Sequence, residues 1–278
     1  MILKTDAINL SESHVMAIVN VTPDSFYSLG RNVTDDQIMA SVERAIREGA
    51  SIIDIGGYSS RPGAEDVDLE SEWQRVRRGL DAVRQVDGGV VVSIDSFRSE
   101  IIRRACEEFG NVIVNDISAG EFDAEMLGVV ARYDLPYIAM HMRGTPNTMQ
   151  SLTEYKGGVV RGVVEYFQQR VEQIKAAGVR AENIVLDPGY GFAKTTEQNF
   201  ELVAGIDALR SLGYPILVGV SRKSMIYKSL DITPEESLPG SLALAWELLR
   251  GGNAIVRVHD VAQTCQVLRL ANIYKRYL

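Results

Sequence analysis

The sequence predicts an α/β protein built as a single (β/α)8 (TIM) barrel over residues 1–278, with its functional site at the C-terminal ends of the strands. Three observations carry this. Apolar runs of strand length alternate with helical stripes eight times, with no break in composition. Strict alternation demands parallel strands and right-handed crossovers, and eight such units in about 250 residues is the usual size of a closed barrel. No Gly-x-Gly-x-x-Gly follows the first strand, which counts against the fallback, a doubly wound open sheet.

Each element has a local reason. An N-terminal segment that could form a hairpin precedes the first clear strand, Val15–Val19, which ends at Asn20 and opens the loop Val21–Gly30. A helix follows over 35–48 with Thr34 as N-cap. The second strand, Ser51–Ile55, ends in Gly56-Gly57 and the loop Tyr58–Gly63, and Leu69, Trp73, Val76, Leu80 and Val83 form the next helical stripe. The Pro, Gly, Ser and Phe content of these first two loops reads as lids over the barrel mouth. The third strand, Val90–Ile94, ends at Asp95, and Ser99 is placed to cap its helix. The fourth, Val112–Val114, ends at Asn115-Asp116, and the fifth, Pro136–Met140, at His141. A long helix presents Val160, Val163, Val164, Phe167, Val171 and Ile174 on one face and stops at Gly178. The sixth strand, Asn183–Leu186, ends at Asp187-Pro188-Gly189. The seventh begins at Pro215 and runs into Ser221-Arg222-Lys223-Ser224. A helix from Ser237 to Arg250, a strand over Ala254–Val258 and a helix over 261–275 complete the chain.

Composition narrows the function classes. A net charge of -8 argues against nucleic acid or an anionic membrane as partner, so any phosphate site must be a local basic pocket. Asp6 interrupts any signal-like apolar start, and no run approaches the roughly 20 residues of a membrane span. The two cysteines, Cys106 and Cys265, lie far apart in helical segments and read as free buried thiols of a cytoplasmic protein.

The strand ends are Asn20, Asp54, Asp95, Asn115, His141, Asp187, Lys223, Arg257 and His259. A buried strand that ends on two adjacent cations, Arg222 and Lys223, is costly unless they meet an anion or polar ligand. Asp95, Asn115 and Asp187 offer acceptors suited to a flat heterocycle edge rich in N–H groups, and Lys223 a donor for its carbonyl and ring nitrogen. Arg257, His259 and Asn20 make a partly cationic corner that suits a phosphate or a diphosphate, either alone or with Mg2+, a metal often held by few protein oxygens plus substrate phosphates. The plainer readings stand beside these. Lys223 alone could equally be an ion-paired lysine, His141 a packed strand-end histidine, and His14 structural. Asp54 reads as a carboxylate anchoring backbone, and Phe26 and Phe192 as covers of the barrel mouth.

At these residues the chain resembles the dihydropteroate synthase family. The matching stretches are Asn20–Phe26, Ile53–Gly57 with Ser60–Gly63, Ser93–Ser96, Asn115-Asp116, Met140-His141, Leu186–Lys194, Ser221–Ser224 and Arg257–Asp260, in the family's order along nearly the whole chain. The resemblance implies condensation of 6-hydroxymethyl-7,8-dihydropterin diphosphate with p-aminobenzoate, in folate biosynthesis, by a cytoplasmic, Mg2+-dependent homodimer. It implies that Asp95, Asn115, Asp187 and Lys223 hold the pterin, with Met140, Phe192 and Gly219 packed on it, and that Asp95, Asp187 and Lys223 carry catalysis. It assigns Asn20 to the metal, Arg257 and His259 to the diphosphate, and Phe26, Ser60, Arg61, Pro62 and Ser224 to the p-aminobenzoate site, the target of sulfonamides. It also implies ionisation of the C–O bond before the aniline nitrogen attacks. The chain departs from the family at Ser28 and Tyr58, where an acidic residue is usual. Rival readings are a pterin-binding methyltransferase domain, which shares Asp95, Asn115 and Asp187 but needs no diphosphate corner, and a non-catalytic pterin-binding protein. A Schiff-base aldolase would use Lys223 as its nucleophile.

Overall fold

Eight parallel strands form one sheet that curls until its edges meet. They are β1 (His14–Asn20), β2 (Ile52–Gly56), β3 (Val91–Asp95), β4 (Ile113–Asp116), β5 (Tyr137–Met140), β6 (Ile184–Asp187), β7 (Leu217–Val218) and β8 (Ile255–Val258). Their order is β6-β5-β4-β3-β2-β1-β8-β7, and a bridge between Leu186 and Ile216 joins the two edges. The computed structural model describes residues 9, 12–22, 34–58, 66–87 and 89–278. The expected N-terminal hairpin and most of both expected lid loops lie outside the described residues.

Successive strand residues face opposite sides, so residues two apart share a face. Met16, Ile52, Val91, Ile113, Ile138, Val185, Leu217 and Ile255, one from each strand, form a separate buried cluster that fills the barrel interior. Burying each such side chain contributes about 1.5–3 kcal/mol. The intervening residues, among them Val15, Ala17, Ile53, Ile55, Val92 and Val114, pack outward against the helices in the larger core. Two residues beyond the interior cluster stand Ile18, Asp54, Ser93, Asn115, Met140, Asp187, Gly219 and Arg257. The inner face therefore turns from apolar to polar within one layer, towards the strand C-termini.

The helices are α1 (Asp35–Glu48), α2 (Leu69–Asp87), α3 (Ser99–Phe109), α4 (Met126–Tyr133), α5 (Val159–Ala176), α6 (Thr196–Ala204), α7 (Ile206–Arg210), α8 (Ser224–Leu230), α9 (Leu238–Arg250) and α10 (Val261–Tyr274). Thr34 and Gln37 form a reciprocal capping box at the start of α1, whose buried residues Ile38, Val42 and Ala45 recur at helical spacing. Gly178, with φ of 98°, follows the end of α5 as the stop expected of it. Ser99 does not cap α3. Arg98 occupies the cap position without a side-chain bond, and the Ser99 N–H donates instead to Asp123 Oδ2 at 2.7 Å. Asn115 and Asp116 belong to β4 rather than to the loop after it, because Asn115 pairs with both Asp95 and Ile138. Helices α4, α6 and α7 lie in stretches whose helical period the sequence reading did not single out. The thiols Cys106 and Cys265 are free but half-buried rather than fully buried.

Candidate active site

A cavity of about 700 Å³ opens at the C-terminal ends of the strands. Its lining includes Asn20, Asp95, Asn115, Met140, Asp187, Phe192, Gly219, Lys223, Ser224, Arg257 and His259. The barrel thus gathers residues that the sequence separates by more than 200 positions. Phe26, Ser28, Ser60, Arg61 and Pro62 lie outside the described residues.

At the base of the cavity Arg257 joins two carboxylates. Its Nε donates to Asp54 Oδ2 and its Nη2 to Asp95 Oδ2, each at 2.6 Å. Asn115 Nδ2 donates to both Asp54 oxygens at 3.3–3.4 Å. Asp54 is therefore no backbone anchor, as its sequence context suggested; it is fully buried and bound by side chains from β8 and β4. Arg257 stands between the acceptor set and the cationic corner, with Nε and Nη2 turned towards the acceptors. Burial opposes its charge, yet Asp54 and Asp95 hold its pKa above the ordinary value. Burial pushes the Asp95 carboxyl up, to about 7, although Arg257 pulls the other way. Burial also raises Asp187, whose Oδ1 accepts the Gly189 N–H at 2.8 Å.

The tips of β7 and β8 are latched twice. Ser221 Oγ lies 3.1 Å from His259 Nδ1 and accepts the His259 backbone N–H at 3.2 Å. Arg222 binds both oxygens of Asp260, at 2.9 and 2.7 Å. This is the anion that Arg222 required, and it is the next residue after His259. Arg222 holds a left-handed φ of 53°, which a side chain adopts at a cost, and its N–H donates to Ser241 Oγ at 2.9 Å. The turn sends Lys223 the other way, its Nζ 4.7 Å from the centre of the Phe192 ring. Ser224 follows as the first residue of α8. Burial, reinforced by Arg257, pulls His259 down to about 4, so its ring is neutral near pH 7.

Asn20, at the end of β1, lines the same cavity. Gly56 beside it leaves the room its side chain needs, since a Cβ there would lie 3.0 Å from Asn20 Oδ1. Among the described residues no cluster of three His, Cys, Asp or Glu could enclose a metal ion. A lone amide oxygen fits Mg2+ arriving with a phosphate group, and fits poorly an ion caged by protein alone.

His141 is buried and packed against Tyr166 at 4.9 Å, the plainer reading of it. His14, at the opposite end of β1, bonds the Asn9 carbonyl at 2.7 Å. Tyr58, one of the two departures from the family, lines the cavity; its hydroxyl donates to Asp66 at 3.3 Å and its ring meets Phe97 edge-on at 5.1 Å. The sequence required an anion for Arg222 without showing that Asp260 supplies it, and it gave Ser221, Asp260 and Lys194 no role beyond their place in the matching stretches.

The pterin binding enzyme family matches residues 16–259 of the chain. The dihydropteroate synthase of Synechocystis is 43% identical over 261 residues, covering 94% of this chain and 89% of that protein. The Escherichia coli dihydropteroate synthase is 41% identical over 268 residues, covering 95% and 92%. Among solved structures, the Yersinia pestis dihydropteroate synthase with a sulfonamide drug complex is similar with a TM-score of 0.89 at 34% identity, covering 97% of this chain and 96% of that one. The Xanthomonas albilineans dihydropteroate synthase with 4-aminobenzoic acid gives 0.87 at 34%, covering 96% and 94%.

Proposed function

The chain belongs to the pterin binding enzymes, in the dihydropteroate synthase family, and on that premise we propose how its cavity carries out the reaction. The enzyme is a transferase of folate synthesis. It condenses 6-hydroxymethyl-7,8-dihydropterin diphosphate with p-aminobenzoate, giving 7,8-dihydropteroate and diphosphate.

Asp95, Asn115 and Asp187 face the N–H-rich edge of the pterin, and Lys223 donates to its carbonyl and ring nitrogen. Met140 and Phe192 pack on the ring faces. Gly219 leaves a flat wall, because nothing lies within 4 Å of where its Cβ would stand. Each charge-assisted bond contributes about 1.5–3 kcal/mol. The observation that carries the reading is that Asp95, Asn115 and Asp187 meet Lys223 in one cavity at the strand C-termini, above the apolar interior of the barrel.

His259, the outer edge of Arg257 and Asn20 receive the diphosphate. Mg2+ bound there, with Asn20 as its protein oxygen, would neutralise charge on the leaving group. The C–O bond breaks with its electron pair leaving on diphosphate. The exocyclic carbon is left as a cation delocalised into the pterin, which the Asp95 and Asp187 carboxyls favour. The p-aminobenzoate nitrogen then supplies the electron pair of the new C–N bond and releases a proton. Lys223 forms no covalent intermediate, since it is engaged in holding the ring. Ser224 and the loop residues Phe26, Ser60, Arg61 and Pro62 shape the p-aminobenzoate site, which also admits sulfonamide analogues. The enzyme works in the cytoplasm as a homodimer; exposed Leu270, Ile273 and Tyr274 on α10 support the pairing.

A diphosphate-release assay with the dihydropterin diphosphate, with and without p-aminobenzoate, tests the reading. The expected result is release that depends on p-aminobenzoate and matches pteroate formed. Release indifferent to p-aminobenzoate, with no pteroate, refutes it.

A further inference from the structure

Beneath the cavity lies a buried cation that the reaction does not use. Lys194 is 4% exposed, at the end of the loop that joins β6 to α6. Its Nζ meets three polar partners, none of them a carboxylate: it donates to the Gly189 carbonyl at 3.0 Å and the Phe192 carbonyl at 2.9 Å, and it lies 3.0 Å from His141 Nδ1. Burying an ammonium among neutral partners is costly, so its placement calls for a return elsewhere.

The two carbonyls belong to residues next to the pterin-holding groups. Gly189 also donates its N–H to the Asp187 carboxylate at 2.8 Å. Phe192 carries the ring that lies 4.7 Å below Lys223 Nζ. Further bonds hold the same loop. Tyr155 Oη donates to the Ala193 carbonyl at 3.0 Å, and the Gly191 N–H donates to Asn199 Oδ1 at 2.7 Å. Gly189 has φ of 67° and passes so near β5 that a Cβ would stand 2.2 Å from the His141 carbonyl oxygen. A loop held this closely has one shape, and Lys194 touches it at two points while its third bond ties it to the end of β5.

We propose that Lys194, braced by His141, is a positioning residue for the pterin: it sets the loop geometry that aims Asp187 and the Phe192 ring into the cavity. The three contacts are satisfied in two ways. The ammonium can donate to all three acceptors, or the neutral amine can donate to the two carbonyls and accept from an Nδ1–H of His141. Burial lowers Lys194 to about 7 and holds His141 well below its ordinary value, so the pair can lose its charge without losing a bond. The clamp thus keeps its shape across neutral pH, as a device for preorganisation should.

The inference rests on the reading that Asp187 and Phe192 contact the pterin, and the test separates the two. Binding of 6-hydroxymethylpterin is measured by calorimetry for the full-length enzyme and for Lys194→Met, Tyr155→Phe and Asp187→Asn, with steady-state constants for both substrates. Lys194→Met keeps the chain length and removes every donor; pterin affinity should fall roughly tenfold while the KM for p-aminobenzoate stays within about twofold. Tyr155→Phe removes one neutral bond from the same loop and should weaken pterin roughly threefold with little change in thermal midpoint. Unchanged pterin affinity in a folded Lys194→Met enzyme overturns the proposal, as does an equal loss for both substrates. If Lys194→Met does not fold, Tyr155→Phe decides alone, and unchanged affinity there overturns it. If Asp187→Asn itself retains full affinity, the underlying site reading has failed, whatever Lys194→Met shows.

Discussion

Replacing Asp54 by Asn tests the ion-pair network beneath the cavity with almost no change in shape. Asp54 is fully buried and accepts from Arg257 Nε at 2.6 Å and from Asn115 Nδ2 at 3.3–3.4 Å. An amide in its place has one oxygen and one donor nitrogen. With its oxygen at the Oδ2 position the amide still accepts from Arg257 and Asn115, but its NH2 stands 3.4 Å from the Asn115 amide nitrogen, donor against donor, and it brings no charge to balance Arg257. Removing one partner of a buried ion pair costs about 3–5 kcal/mol. Arg257 would keep Asp95 at 2.6 Å, which places the expected loss near the lower figure, about 3 kcal/mol. That is a large part of the roughly 5–15 kcal/mol that holds an ordinary domain together. Removing the Asp54 charge also relieves Asp95 of a neighbour that raises its pKa, so Asp95 should ionise more readily. Urea unfolding at pH 7 measures the stability, and pterin calorimetry measures the consequence above it. A stability loss below about 1 kcal/mol would refute the network as a structural element, since that is the scale of one ordinary neutral hydrogen bond.

The Asp95 carboxyl, raised to about 7 by burial, holds its proton in the folded state where the unfolded chain has released it. Its contribution to stability is therefore present below about pH 4 and is lost as pH rises through 7, so wild type should lose stability relative to Asp95→Asn over that window, with a slope of at most about 1.4 kcal/mol per pH unit in paired urea titrations. His259, lowered to about 4, has the opposite sign: stability is lost as pH falls from the ordinary histidine value towards 4, and His259→Gln should abolish that slope. Arg222→Ala keeps the left-handed backbone but removes the Asp260 clamp; kcat/KM should fall about tenfold, and Asp260→Asn should do the same without a further loss in the double variant. Light scattering at micromolar concentration should give twice the 30.7 kDa chain mass, and Leu270→Asp with Ile273→Asp should return it to one chain.

The alternation of apolar runs and helical stripes determined the barrel, because strand and helix periods are local properties of a chain. The same locality made the strand-end residues legible: Asp95, Asn115, Asp187 and Lys223 stand where an apolar run turns polar. The strand ends also share a hidden parity, Asp54 and Arg257 lying two residues beyond Ile52 and Ile255 of the apolar interior. What the sequence could not supply was which of these groups satisfy one another. Asp54 and Arg257 are 203 residues apart, and only closure of β8 against β1 brings them to 2.6 Å. Asp123 serves Ser99 from 24 residues away, so the expected cap was absent for a reason no local pattern contains. Lys194 enters the sequence only as the last residue of the matching stretch Leu186–Lys194, yet it is an interior brace, because its three partners come together only when the β6–α6 loop folds back on β5. Periodicity is written between neighbours along the chain, and so it survives in the sequence; the pairing of buried polar groups is decided across space, by which strands the closed ring makes adjacent.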